Sequence, residues 1–339
     1  MKTRRITIFL ISALLILATA CLVSHRAALR HSSVSELAVR ALFSSAKTDY
    51  IAHVVTTTQY NGKRIHNRAI LYHQGSTEKL EYSGSKGQRI WSMLKDNKSY
   101  TFVPAENSIL VSETSRIISD AQRSELLARN YKFIILGSEK VAGRDTYVVK
   151  ISSRRGRRPA KKLWIDKRYF TVLRSIDYTT TGAERGSMQV QQIHYNARIS
   201  PDIFKIPDDA SAKMVMVCKS AQSRDLFKTV GMRIGTPTYL PDGYVVEGYH
   251  VFNARCSCNH RSAQITYTDG LNVISVFQTP KMTSCSDCCN STNGGDESSC
   301  CVENCDMAKT CQMSRSDRTV VVVGDLLPED VKKITESVK

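Results

Sequence analysis

The sequence predicts an α+β fold, with a long antiparallel sheet curled into a half-barrel under helical cover and a smaller α/β domain after it. Three observations predict this. Apolar residues alternate in short segments between turn signals across residues 50–195; two helical stretches accompany that meander; a second, shorter set of strands ends in a helix opened by Pro328. A chain of 339 residues is long enough for two domains that each bury a core.

The chain opens with Lys2, Arg4 and Arg5 ahead of an apolar run from Ile6 to about Val23, so residues 1–23 read as a signal peptide or membrane anchor. Ala18-Thr19-Ala20 fits a small-x-small cleavage site, and Cys21 behind it is a lipidation candidate, although Ala18 stands where a lipobox carries Leu. The run is also close to the ~18 apolar residues that can span a bilayer. Cleaved, lipidated or retained, such a leader places the body in the periplasm or envelope.

The first domain is expected over 33–210. Ser33 and Glu36 form a capping box, and Leu37, Ala41 and Leu42 give the helix that follows, over 33–47, an apolar face. Strands are predicted at Tyr50 to Tyr60, Ile65 to His73, Glu78 to Tyr82, Ile90 to Leu94, Tyr100 to Val103 and Ile109 to Val111, with Asn61-Gly62 as the first hairpin turn. A helix over Ile118 to Arg129 precedes strands at Phe133 to Leu136, Asp145 to Ile151, Leu163 to Asp166, Val172 to Tyr178 and Met188 to Tyr195. So many strands in one antiparallel sheet leave an apolar face open unless the sheet curls and the two helices cover it. Pro201, Pro207, Asp208 and Asp209 mark the end of this domain and a linker, with the boundary between 210 and 232.

The second domain, 232–339, has strands at Tyr244 to Phe252, Gln264 to Thr268, Leu271 to Gln278 and Thr319 to Val323, then a helix with Pro328 at its first position and Val331, Ile334 and Val338 on one face. Between its strands lies a polar, cysteine-dense insert, 283–313, that cannot bury a core of its own and needs cross-links.

Composition narrows the partners. With 48 Lys plus Arg against 31 Asp plus Glu, the net charge of +17 favours anions, and export removes nucleic acid from the choice, leaving phospholipid headgroups, lipopolysaccharide phosphates or an acidic protein face. The strongest basic run, Arg154, Arg155, Arg157, Arg158, Lys161 and Lys162, falls between two predicted strands, where a hairpin tip would present it to anionic lipid or leave it as a solvated turn guarding a sheet edge. Of 11 cysteines, ten remain once Cys21 is set aside: Cys218, Cys256, Cys258, Cys285, Cys288, Cys289, Cys300, Cys301, Cys305 and Cys311. An oxidising compartment favours disulfides among them, though the short spacings also suit a tetrahedral thiolate site for zinc or another soft metal, or a redox role. No nucleophile elbow, P-loop, H-E-x-x-H or Gly-rich dinucleotide fingerprint occurs, so neither catalysis nor an organic cofactor is expected.

Three ordered blocks carry a resemblance: Pro237-Thr238-Tyr239-Leu240-Pro241-Asp242-Gly243-Tyr244, then Tyr267-Thr268-Asp269-Gly270-Leu271, then Val323-Gly324-Asp325-Leu326-Leu327-Pro328. They resemble the C-terminal domain of MucB/RseB proteins. Val141-Ala142-Gly143-Arg144-Asp145-Thr146-Tyr147, Leu163-Trp164-Ile165-Asp166, Leu173-Arg174 and Phe204-Lys205-Ile206 are similar to the same family's N-terminal domain, which shares the fold of lipoprotein carriers such as LolA. The resemblance implies an unclosed β-barrel around a helix-plugged apolar cavity, and a regulator that does not catalyse. It further implies binding to the periplasmic part of a membrane anti-sigma factor, with release when lipid-like or mislocalised envelope components enter the cavity. Trp91 and Trp164, on predicted strands, fit either such a cavity or the core, and with Phe133 and Leu173 they are the cavity candidates. Two other readings stand beside the regulator: a lipid or lipoprotein carrier of LolA type, and a cysteine-based redox or metal-binding envelope protein. The cysteine-rich insert departs from the family pattern.

Overall fold

The computed structural model describes residues 34–43, 48–60, 63–83, 89–114, 116–156, 159–206, 212–253, 261–281, 301–305 and 308–339. Residues 34–43 form α1. Six strands follow as a meander: β1 (Tyr50–Tyr60), β2 (Lys63–Gln74), β3 (Thr77–Ser83), β4 (Arg89–Lys95), β5 (Lys98–Val103) and β6 (Ser108–Glu113). Helix α2 (Asp120–Asn130) leads into β7 (Tyr131–Val141), β8 (Arg144–Ser153), β9 (Ala160–Asp166), β10 (Val172–Tyr178) and β11 (Glu184–Tyr195). The C-terminal unit adds β12 (Lys213–Ala221), α3 (Ser223–Val230), β13 (Val245–Asn253), β14 (Arg261–Thr268), β15 (Val273–Pro280), β16 (Cys301–Cys305), β17 (Ala308–Ser314), β18 (Arg318–Gly324) and α4 (Pro328–Ser337).

The pairings run in one unbroken series. From one edge the order is β7-β8-β9-β10-β11-β1-β2-β3-β4-β5-β6. It continues through β12-β13-β14-β15-β18-β17-β16. Every pairing is antiparallel except β6 with β12, which is parallel. Among the described residues the sheet does not close on itself, which is the unclosed, mostly antiparallel architecture the sequence predicts.

Local chemistry accounts for the elements. Tyr60 pairs with Lys63, so a two-residue loop joins β1 to β2 at Asn61-Gly62, itself outside the described residues. Helix α2 starts on a capping box in which the Ser119 hydroxyl accepts from the Gln122 N–H at 3.2 Å and the Ser119 N–H donates to the Gln122 side chain at 2.8 Å. Helix α4 opens on Pro328, as expected, and buries Val331 and Ile334.

Three clusters fill the N-terminal sheet. Ala38 of α1 and Leu127 of α2 pack with Tyr131, Phe133, Val149, Ile151, Leu163 and Ile165 on one face of β7 to β9. Trp164 and Leu173 lie in a second cluster with Tyr50, Val54, Val148 and Val190. Trp91, Met93, Ile109 and Val111 lie in a third, closed by Ile199 and Phe204. Phe204 comes from a short 3-10 turn, Pro201–Phe204, within the stretch expected to be linker.

Two stretches carry elements for which the sequence predicts none. The boundary region holds a strand and a helix, β12 and α3, and β12 is the hinge of the whole sheet because it pairs with β6 on one side and β13 on the other. Its sequence, Lys-Met-Val-Met-Val-Cys-Lys-Ser-Ala, lacks the polar alternation of a half-buried strand, so periodicity is weak there. The insert is also shorter than expected: Ala308–Ser314 is a sheet strand on β18, and Cys311 is fully buried with Val320 and Val322.

Candidate functional site

The two units meet at a buried polar seam, and the loops that form it carry the family-like blocks. The end of α2 and the start of β7 bring Asn130 and Tyr131, both fully buried, against the loops around Gly243 and Asp269. The Tyr131 hydroxyl donates to Asp269 Oδ2 at 2.6 Å and accepts from Asn272 Nδ2 at 2.6 Å. Asp269 Oδ1 takes the N–H groups of Leu271 and Asn272 at 3.0 and 2.8 Å, so the carboxylate is fully engaged although no solvent reaches it. Asn130 Nδ2 donates to the carbonyls of Asp269 and Gly243 at 2.9 and 3.1 Å.

Two glycines permit this approach. Gly270 has φ +98° and a Cβ there would fall 2.4 Å from the Leu127 nitrogen; Gly243 has φ +87° and its Cβ would fall 2.3 Å from Asn130 Oδ1. Ion pairs close the rim: Arg185 with Asp325 at 2.6 Å, Arg123 with Glu247 at 3.7 Å and the exposed Arg155 with Asp242 at 3.4 Å.

Beside the seam opens a cleft of 320 Å³ lined by Glu113, Arg116, Arg123, Cys218, Glu247, His250, Gln264 and Thr266. Glu247 and His250 are buried, and His250 Nδ1 and Arg123 Nε have no hydrogen-bond partner. Burial holds the His250 imidazole below its ordinary value, with the Glu113 carboxylate pulling the other way. Cys218, expected to pair as a disulfide, is instead a free thiol 3.8 Å from Gln264 Oε1. Burial, assisted by Glu113, pushes it up to about 11, which makes it a poor nucleophile at neutral pH. A second cleft of 530 Å³ lies between β12, α3 and β13, lined by Lys219, Gln222, Asp225, Asn253 and Arg261 among others.

The expected cavity residues do not converge. Trp91, Phe133 and the pair Trp164 with Leu173 sit in three different closed clusters, and neither cleft is lined by any of them. The basic run also divides. Arg154 and Arg155 are exposed at the β8 end, where Arg154 Nε donates to the Tyr131 carbonyl at 2.8 Å. Lys161 pairs with Asp177, and Lys162 lies 4.5 Å over the Trp164 ring, both already on β9. Arg157, Arg158, Cys21, Cys256, Cys258, Cys285, Cys288, Cys289 and Cys300 lie outside the described residues, and so do the side chains of Cys301 and Cys305. Cys311 is disulfide-bonded. Among the described residues no group of metal-ligating side chains gathers, and no helix is long and apolar enough to cross a membrane.

Tyr131, Asn130, Asp269 and Arg185 were not singled out by sequence reasoning. The signal available was the pair of Asp-Gly turns, Asp242-Gly243 and Asp269-Gly270, read only as parts of a motif.

The chain is thus an open, mostly antiparallel sheet of two units joined at a buried polar seam. Residues 40–208 match the family model of the MucB/RseB N-terminal domain. Through this domain the chain belongs to the MucB/RseB family. The fold of nearly the whole chain is also similar to solved structures. The complex structure of Pseudomonas aeruginosa MucA/MucB matches over 91% of this chain and 98% of the other, with TM-score 0.62 and 17% identity. MucB in complex with MucA(peri) matches over 90% and 98%, with TM-score 0.62 and 16% identity. A crystal structure of MucB gives 0.58 and 17% over 91% and 98%. No curated protein matches the sequence.

Proposed function

We infer that this protein is an exported, non-enzymatic regulator that binds the envelope-side part of a membrane anti-sigma factor and releases it when lipid-like or mislocalised envelope components bind. The observation that carries the reading is the joint match: the first domain belongs to the MucB/RseB family, and both units share the fold of MucB solved with MucA. The seam supports it physically. A carrier of LolA type needs only the first unit, whereas here the second continues the same sheet through β12 and is held by Tyr131, Asp269 and Arg185. A fixed relation between two units suits recognition of an extended partner that touches both.

The closed clusters around Trp91, Trp164 and Phe133 constrain the signal. An acyl chain that reaches these side chains would have to part their packing, so lipid binding there should act by loosening it. Affinity capture with the oxidised protein, followed by mass spectrometry of bound proteins and extracted lipids, tests the reading. Recovery of a single-span anti-sigma factor supports it; recovery of lipid or lipoprotein alone moves the function to a carrier.

A further inference from the structure

Strand β7 is one end of the sheet: among the described residues it pairs only with β8, over its full length from Tyr131 to Val141. Sheet edges in natural proteins are normally short, charged or covered, because unpaired N–H and C=O groups recruit other strands. This edge is 11 residues long and displays Ile134, Ile135 and Leu136 at 47, 41 and 52% exposure. Exposure of three successive large apolar residues on a free edge is costly unless something covers them.

The neighbouring charges indicate what. Across the register Ile134 lies opposite Lys150, and Lys150 opposite Lys162, so a basic row runs inward from the apolar edge on one face. Lys132 and Lys140 are exposed on β7 itself, and Arg154 is anchored beside its first residue. The acidic residue of the strand, Glu139, accepts a hydrogen bond from Trp164 Nε1 at 2.7 Å. A second copy of this chain would bring the same lysines edge to edge and repel them.

We propose that the free edge of β7 is a docking strand to which a partner protein adds an extended segment alternating apolar residues with Asp or Glu. Its backbone extends the sheet, its carboxylates lie on the face that carries Lys132 and Lys150, and its apolar side chains lie on the other face, where they cover Ile135 beside Phe133 and Val149. The bulge between Ile135 and Gly137 breaks the ladder at mid-strand and discourages indiscriminate pairing when the edge is empty. The proposal rests on the regulator reading, since it places part of that partner on this edge.

The test uses the oxidised exported protein and a labelled synthetic peptide of about ten residues alternating Val with Glu, matched to the strand length. Control peptides carry Lys in place of Glu, or a central Pro. The Glu peptide should bind and slow hydrogen exchange across 132–138, and Ile135→Glu should weaken it about tenfold or more. Ile135 is 41% exposed, and an unchanged thermal midpoint shows that the variant still folds. Absent binding, equal binding of the Lys peptide, or protection elsewhere overturns the proposal. Capture of the anti-sigma segment by wild type and by the variant separates the two ideas. If both capture it equally, the edge is wrong and the regulator stands; if neither does, the regulator reading fails by itself.

Discussion

At the scale of single residues, the seam concentrates the energetics. Tyr131 satisfies Asp269 where water cannot, so Tyr131→Phe should lose about 1–3 kcal/mol in urea unfolding. A loss under about 0.5 kcal/mol would mean that water or rearrangement replaces the hydroxyl. His250 gives a pH dependence whose sign is fixed by burial. Its folded-state value is lowered, so the unfolded chain takes up the proton first, near about pH 6.5. Stability is therefore complete above that pH and declines as the pH falls through it. His250→Gln should flatten the part of this decline between about pH 7 and 5, measured by urea midpoints. The other groups on the cleft, Glu113, Glu247, Arg116, Arg123 and Cys218, remain in that variant.

At the scale of elements, the junction between units is set by loop conformation. Gly270→Ala places a methyl against the Leu127 backbone at a positive φ, so the α2 contact must open. Limited proteolysis should then cut between the units at lower protease concentration than in wild type; an unchanged digestion pattern would show that the seam does not hold them. Much of this level was legible in the sequence. The strands of the first unit alternate clearly enough to be placed, and Asn61-Gly62 and Pro328 mark a hairpin and a helix start. The seam was not legible, because Tyr131 and Asp269 derive their role from a contact 138 residues apart in sequence. Likewise β12 earns its strand from partners on both sides rather than from its own pattern. Trp91 and Trp164 show the limit from the other side: aromatic residues on strands were found, yet only packing tells core from cavity.

At the scale of the molecule, an open sheet continues through both units of a chain whose net charge is +17. Replacing Arg154, Arg155, Arg157 and Arg158 by Ser should weaken sedimentation with anionic vesicles while leaving neutral vesicles unaffected; unchanged binding would leave those arginines as a solvated turn. Reduction should lower the thermal midpoint, since Cys311 is both disulfide-bonded and at the centre of the C-terminal core. The proposed role of this sheet is to hold an anti-sigma factor. Its most direct test is protection: the envelope-side segment of the anti-sigma factor encoded with a sigma factor in the same genome is digested with and without the oxidised protein. The protein should slow cleavage, and added lipid-like envelope components should restore it. Cleavage at the same rate in both conditions would rule that role out.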